Sequence, residues 1–216
     1  MRRALPALFA LGCGERISAD ATPVKVTRPS ELIEASEMNE VSAAIAGTFS
    51  MPWWRDGPHQ HPEVWSIDGG TLTRWDGAKE ATAELVIVAP CLAKVKWPGG
   101  HFTYEEFVID GETVWFGEEG GRTHGGRTVV CSSQGVWVLD DHGCRSWKPG
   151  VFAAHPSGLN PTDTSCAITE AGGFEADGTR WPKQGDVFVR ADFAKRQPRP
   201  PERFASLADA KAALAR

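Results

Sequence analysis

Trp65-Ser66-Ile67-Asp68-Gly69 leads into Thr71-Leu72-Thr73, and Phe107-Val108-Ile109-Asp110-Gly111 leads into Thr113-Val114-Trp115. Both read as β-hairpins. Apolar and polar residues alternate around the Asp-Gly pair of the first, β-branched and aromatic residues flank that of the second, and glycine supplies the positive φ that a tight hairpin turn needs. A weaker third copy is Phe174-Glu175-Ala176-Asp177-Gly178-Thr179. Outward from these units the same period of two recurs. Phe49, Met51 and Trp53 alternate with Thr48, Ser50 and Pro52, and Cys91, Ala93, Val95 and Trp97 alternate with Leu92, Lys94 and Lys96. Residues 113–116, 136–139 and 187–189 are short β-branched or aromatic runs. Gly, Asp and Pro punctuate them about every 8–12 residues, which predicts an all-β fold, an antiparallel meander closed as a barrel or stacked as a sandwich.

Helices flank this region in the reading. Ser30 is a good N-cap, and Leu32, Ala35, Met38, Val41 and Ile45 recur at helical spacing until Gly47. At the other end, residues 195–203 carry three prolines and read as a linker without a strand, after which Ser206 caps an Ala-rich helix from Leu207 to Arg216. Residues 194–216 hold six basic and two acidic side chains, a net +4. Such a helix packs on its domain with its cations solvated, or touches an anionic surface. The expected organisation is a leader over 1–13, a tether over 14–29, an N-terminal helix plus barrel over 30–193, and a linker with its helix over 194–216.

Composition narrows the function classes. The chain has 216 residues, 41% hydrophobic and 24% charged, with a formal net charge of −5. That excludes a broadly basic nucleic-acid binder. No apolar stretch reaches the length of a membrane-spanning helix. Met1, Arg2 and Arg3 precede a short apolar run that ends at Gly12 and Cys13, the layout of a secretory signal. The stretch Ala10-Leu11-Gly12-Cys13 resembles a bacterial lipobox, which implies lipidation of Cys13 and an envelope location; a cytoplasmic chain with a chance Gly-Cys is the alternative.

Four other cysteines, Cys91, Cys131, Cys144 and Cys166, fit two disulfides in an oxidising compartment. Strand direction selects among the three connectivities. Counting alternate strands from Cys91 puts Cys131 at the same end, whereas Cys144 begins at the opposite end, roughly 15 Å away and beyond the ~7 Å Cα limit for a bridge. The expected pairs are Cys91–Cys131 and Cys144–Cys166.

A helix, then Ile45-Ala46-Gly47-Thr48-Phe49, then hairpins of the Ser-Ile-Asp-Gly type, resembles the bacterial lipocalin-like (calycin) lipoproteins. Phe49 stands where that family has tryptophan. The resemblance implies an up-and-down barrel that binds a small apolar molecule or serves a structural role in the envelope.

Individual motifs carry less. His59-Gln60-His61 would place two imidazoles on one strand face as metal ligands, with His101 or His142 as a third, in the manner of a cupin-like oxygenase or isomerase. Pro58 and Pro62 favour a loop instead. Asp140-Asp141-His142-Gly143 is ordinary turn chemistry. The glycine-rich segment 117–126 lacks the ending of a phosphate loop and reads as a long hairpin loop. No Gly-x-Ser-x-Gly element exists, and no cofactor-binding motif was found. Glu105-Glu106 and Glu118-Glu119 cannot act as pairs, because neighbours on a strand face opposite ways. The nine tryptophans are mostly core material, with a minority facing a ligand or a partner. Alternation nominates Met51, Trp53, Val95, Trp97 and Trp115 for an inward, ligand-facing wall. Three readings remain: a non-enzymatic envelope protein holding a hydrophobic ligand, a metal enzyme using His59 and His61, and a Trp-rich interaction module.

Overall fold

Each of the three Asp-Gly stretches folds as a hairpin, and the registers show how. The computed structural model describes residues 32–51, 62–149, 158–196 and 199–214. Asp68 pairs with Thr71 and Asp110 with Thr113, so the two-residue loops are Gly69-Gly70 and Gly111-Glu112. Gly69 and Gly111 take φ of 55° and 58°, the conformation that glycine adopts without strain. In the third hairpin both loop residues, Asp177 and Gly178, have positive φ, as a type I′ turn requires.

Helix α1 (Ala35–Ile45) leads into strands β1 (Gly47–Ser50), β2 (Val64–Asp68), β3 (Thr71–Trp75), β4 (Glu80–Ala89), β5 (Leu92–Lys96), β6 (Phe102–Asp110) and β7 (Thr113–Phe116). These seven strands form one antiparallel sheet in chain order, and an eighth, β18 (Glu202–Phe204), joins the free edge of β1. The sheet curls into a half-barrel and stays open. A second sheet has the order β12-β11-β10-β9-β8-β17-β16. It is built from β8 (Gly120–His124), β9 (Arg127–Ser132), β10 (Gly135–Asp140), β11 (Gly143–Pro149), β12 (Leu159–Thr162), β16 (Lys183–Gln184) and β17 (Val187–Val189). A small third sheet holds β13 (Cys166–Ile168), β14 (Phe174–Ala176) and β15 (Thr179–Trp181). Two further helices are α2 (Phe193–Arg196) and α3 (Leu207–Leu214).

Several expectations need correction. The single meander breaks after β7, where the chain passes to the second sheet, so the architecture is antiparallel β without a closed barrel. The expected glycine-rich loop contains strand β8. Its alternation is invisible because Gly120 and Gly121 have no side chains, and the fold demands that. A Cβ on Gly121 would overlap the Val129 carbonyl, and one on Gly120 the Phe188 carbonyl. The proline-rich linker also holds a strand, β18, which follows its prolines and runs along the sheet edge where a missing donor costs least. Helix α1 begins a turn later than expected: Leu32 precedes it and is buried in a different cluster. Ser30, its expected cap, lies outside the described residues.

Burial separates the faces cleanly. The concave face of the first sheet buries Phe49, Met51, Trp65, Ile67, Leu72, Leu85, Val95, Phe107, Val114 and Phe116 together with Val41 and Ile45 of α1. The ring of Phe116 meets those of Phe49 and Trp65 at centroid distances of 5.1 and 5.4 Å. On the convex face, Val64 and Trp75 pack on α3, which Ser206 caps by accepting from Asp209 N–H at 3.1 Å. Elsewhere Leu92, Val88 and Cys91 face Val129, Val136 and Trp147 of the second sheet. Trp137, Phe174, Trp181 and Phe188 form a further cluster between the second and third sheets.

Cross-links hold the layers. Cys91 bonds to Cys131, with Cα atoms 5.7 Å apart, and joins the first sheet to the second. Cys144 bonds to Cys166 at 5.5 Å and joins the second to the third. These are the pairs selected from strand direction, although that count omitted β8; the passage to a new sheet offsets the missing reversal. Helix α1 is pinned to the β8–β9 hairpin by Glu37–Arg127 at 3.3 Å and Glu40–Arg122 at 3.6 Å. Glu37 is only 3% exposed, and burial raises its carboxyl above the ordinary range against the opposing charges of Arg127, His124 and Arg122.

Candidate functional site

Period-two geometry carries the concave face past its apolar part. Along β2 the inward residues run Ile67, Trp65 and then Glu63; along β3, Leu72 and then Arg74. Along β5 they run Ala93, Val95 and then Trp97, and along β6, Ile109, Phe107, Glu105 and then Thr103. On all of these strands the face turns from apolar to polar or half-buried toward the same end of the half-barrel. Helix α1 covers the apolar end, and among the described residues no helix covers the other end, called the open end below.

The polar side chains there hold one another. Glu63 Oε1 accepts from Arg74 Nε at 2.8 Å and from Trp65 Nε1 at 2.7 Å. Opposite, Trp97 Nε1 donates to Thr103 Oγ1 at 3.1 Å, and the Thr103 hydroxyl donates to Glu105 at 2.8 Å. Burial raises the Glu105 carboxyl above its ordinary range, and the Glu63 charge across the curl adds to the effect; Thr103 and Arg74 oppose it. Strands β2 and β6 are separated by three strands in the sheet, so curvature alone brings these two carboxyls within each other's influence.

Beside this array lies a cleft of about 550 Å³, whose lining includes Arg74, Asp76, Lys79, Glu80, Trp97, His101 and Thr103. Asp76 is a turn residue. The N–H groups of Lys79 and Ala78 bond to its carboxylate and hold its pKa below the ordinary value. Glu80 is bound by Lys211 of α3. Such a volume suits a small molecule. A second cleft of about 460 Å³ lies on the third sheet beside Arg180, Trp181 and Lys183.

The expected ligand wall is divided by the structure. Met51 and Val95 are fully buried in the concave core, and Trp97 lies half-buried at the open end. Trp115 faces the other way, which corrects the expectation. Val114 and Phe116 occupy the concave face of β7, so their neighbour points to the opposite side and packs on Phe193 at 5.0 Å. Trp53, His59, His61 and the anchor candidate Cys13 lie outside the described residues. Of the third-ligand candidates, His101 borders the cleft, while His142 sits in the β10–β11 turn. That turn is ordinary: Asp140 accepts from His142 N–H at 2.9 Å. Among the described residues no cluster of His, Cys, Asp and Glu could hold a metal ion.

Sequence reasoning did not bring Glu63, Arg74, Thr103 and Glu105 together, and it weighed Glu105 only against Glu106. The available signal was a polar residue standing two places beyond an inward aromatic or leucine: Glu63 before Trp65, Arg74 after Leu72, Glu105 before Phe107. Among the described residues no helix is long and apolar enough to cross a membrane. Comparisons of the chain with protein-family models, curated proteins and solved structures find no match.

Proposed function

We propose that the protein is a small-molecule-binding module of an oxidising compartment, with its ligand seated at the open end of the half-barrel. One observation carries the reading: the concave face ends in a cleft where the half-buried indole of Trp97 meets a hydrogen-bonded polar array. Apolar surface next to a few fixed polar groups is the usual make-up of a small-molecule site. The deeper concave face is occupied by α1 and the Phe49, Phe107 and Phe116 rings, so the seat lies at the mouth and not among those rings.

The two disulfides support an extracytoplasmic setting, where such bonds persist. Envelope attachment through Cys13 belongs to the same proposal. Labelled fatty acid should enter the wild-type chain in a bacterial host and be absent from Cys13→Ser; equal labelling of both would end the anchor reading.

The binding reading is tested by titrating the folded protein with fatty acids, retinoids and short oligosaccharides while following tryptophan emission. At least one class should give a saturable change that Trp97→Ala removes. No saturable change with any of them would leave the fold as a structural module of the envelope.

A further inference from the structure

The chemistry of the cleft goes beyond the fact of binding and selects a ligand class. We propose that the open-end cleft takes a neutral saccharide, with one face of a sugar ring on Trp97 and the ring's hydroxyls bonded by Arg74 and Thr103, while Glu105 holds Thr103 from behind. This rests on the binding reading above.

Charge comes first. The cleft lining carries two cations, Arg74 and Lys79, against two carboxylates, Asp76 and Glu80. Those formal charges cancel, and Glu80 is further bound by Lys211, Arg74 by Glu63. A site for a phosphate or a carboxylate would concentrate donors of one sign. This one does not.

Shape and hydrogen bonding point the same way. A pyranose ring has an apolar C–H face and a rim of hydroxyls, each of which both donates and accepts. It needs a flat apolar platform next to mixed donors and acceptors. Trp97 supplies the platform: its indole is half-buried against the concave core, and its N–H is engaged by Thr103 at 3.1 Å, which fixes the ring plane. The Thr103 hydroxyl accepts from Trp97 and donates to Glu105 at 2.8 Å, which leaves it one lone pair as an acceptor for ligand. Arg74 uses Nε on Glu63, and its Nη groups have no partner among the described residues. Donor, acceptor and platform are therefore held by protein contacts before any ligand arrives. Such preorganisation reduces the ordering cost of binding. A retinoid or an acyl chain lying on Trp97 would cover the Arg74 Nη groups and the remaining Thr103 lone pair without pairing them, which is unfavourable.

The test uses the intact folded protein and three defined probes: chitotetraose, cellotetraose and maltotetraose, followed by calorimetry and tryptophan emission. At least one should bind with a Kd of about 1 mM or tighter. Trp97→Ala should weaken that binding at least tenfold, Trp97→Phe should retain most of it, and Glu105→Gln should weaken it several-fold. Thr103→Val, which is at an exposed position, provides a folded check on the same site should Trp97→Ala fail to fold, and should also lose affinity. Binding unchanged in Trp97→Ala and Thr103→Val would overturn the proposal. So would the absence of saccharide binding alongside Trp97-dependent binding of a fatty acid or retinoid, a result that leaves the binding reading standing. Failure of both probe classes removes both.

Discussion

The two ends of one concave face are built on the same strands and behave as different materials. At the closed end, Phe49, Trp65, Phe107 and Phe116 interlock beneath α1 and water is excluded. At the open end, two residues further along β2, β3, β5 and β6, stand Glu63, Arg74, Trp97 and Glu105. Two ion pairs, one joining α1 to β9 of the second sheet and one at the open end, contrast in the same way. Glu37–Arg127 below α1 is almost fully buried, with side-chain exposures of 4% and 14%, whereas Arg74 of the Glu63–Arg74 pair is 44% exposed. One sheet thus changes character along its strands as well as between its faces: one end is apolar and buried, and the other carries hydrogen-bonded polar groups.

Substitutions should reproduce that division. Phe107→Ala removes a ring that is 1% exposed and should cost about 3–5 kcal/mol in chemical denaturation. Thr103→Ala, four residues away on the same face of β6, should change stability by less than about 0.5 kcal/mol. Equal losses from the two would erase the distinction between the ends. The ion pairs come next. Arg127→Ala strands the buried Glu37 carboxylate and should cost about 3 kcal/mol. Arg74→Ala should cost at most about 1 kcal/mol, because solvent already reaches that pair. Trp97→Ala should lower stability by only about 1–2 kcal/mol, since the indole is half-buried, yet it should remove ligand-induced emission changes.

The smallest effect is in pH. Glu105 titrates above the ordinary carboxylate range in the folded state, so the folded protein holds that proton to higher pH than the unfolded chain does. Its contribution is therefore most favourable below the unfolded value and falls as pH rises through the raised folded value. Glu105→Gln should flatten this dependence and raise the thermal midpoint at pH 7 more than at pH 4. A midpoint shift equal at both pH values would show that Glu105 titrates like a surface carboxylate.

How much of this was legible follows from what each signal needs. The Asp-Gly hairpins were visible because alternation and turn chemistry are local, and the same is true of the Asp140 turn. Strand β8 was hidden because glycine carries no polarity, and β18 because proline-rich sequence masks a three-residue strand behind it. The faces of Met51, Val95 and Trp97 followed from period two. Alternation alone leaves the parity of 113–116 open, and burial of Val114 and Phe116 on the concave face puts Trp115 on the other side. The polar array was the hardest to see. Glu105 faces away from Glu106, as alternation requires, and its electrostatic neighbour is Glu63, just before β2. Only the curvature of the sheet makes those two residues neighbours, and no spacing in the sequence encodes curvature directly.

The most direct measurement is a proton–nitrogen spectrum of the tryptophan indole N–H groups, recorded while the oligosaccharide or other binding probe is added. The Trp97 resonance should shift and saturate, with Trp65 responding through Glu63, while Trp137 and Trp181, packed at 5.4 Å in the cluster between the second and third sheets, stay in place. Saturating shifts at Trp137 or Trp181 with Trp97 unmoved would contradict a seat at the open end.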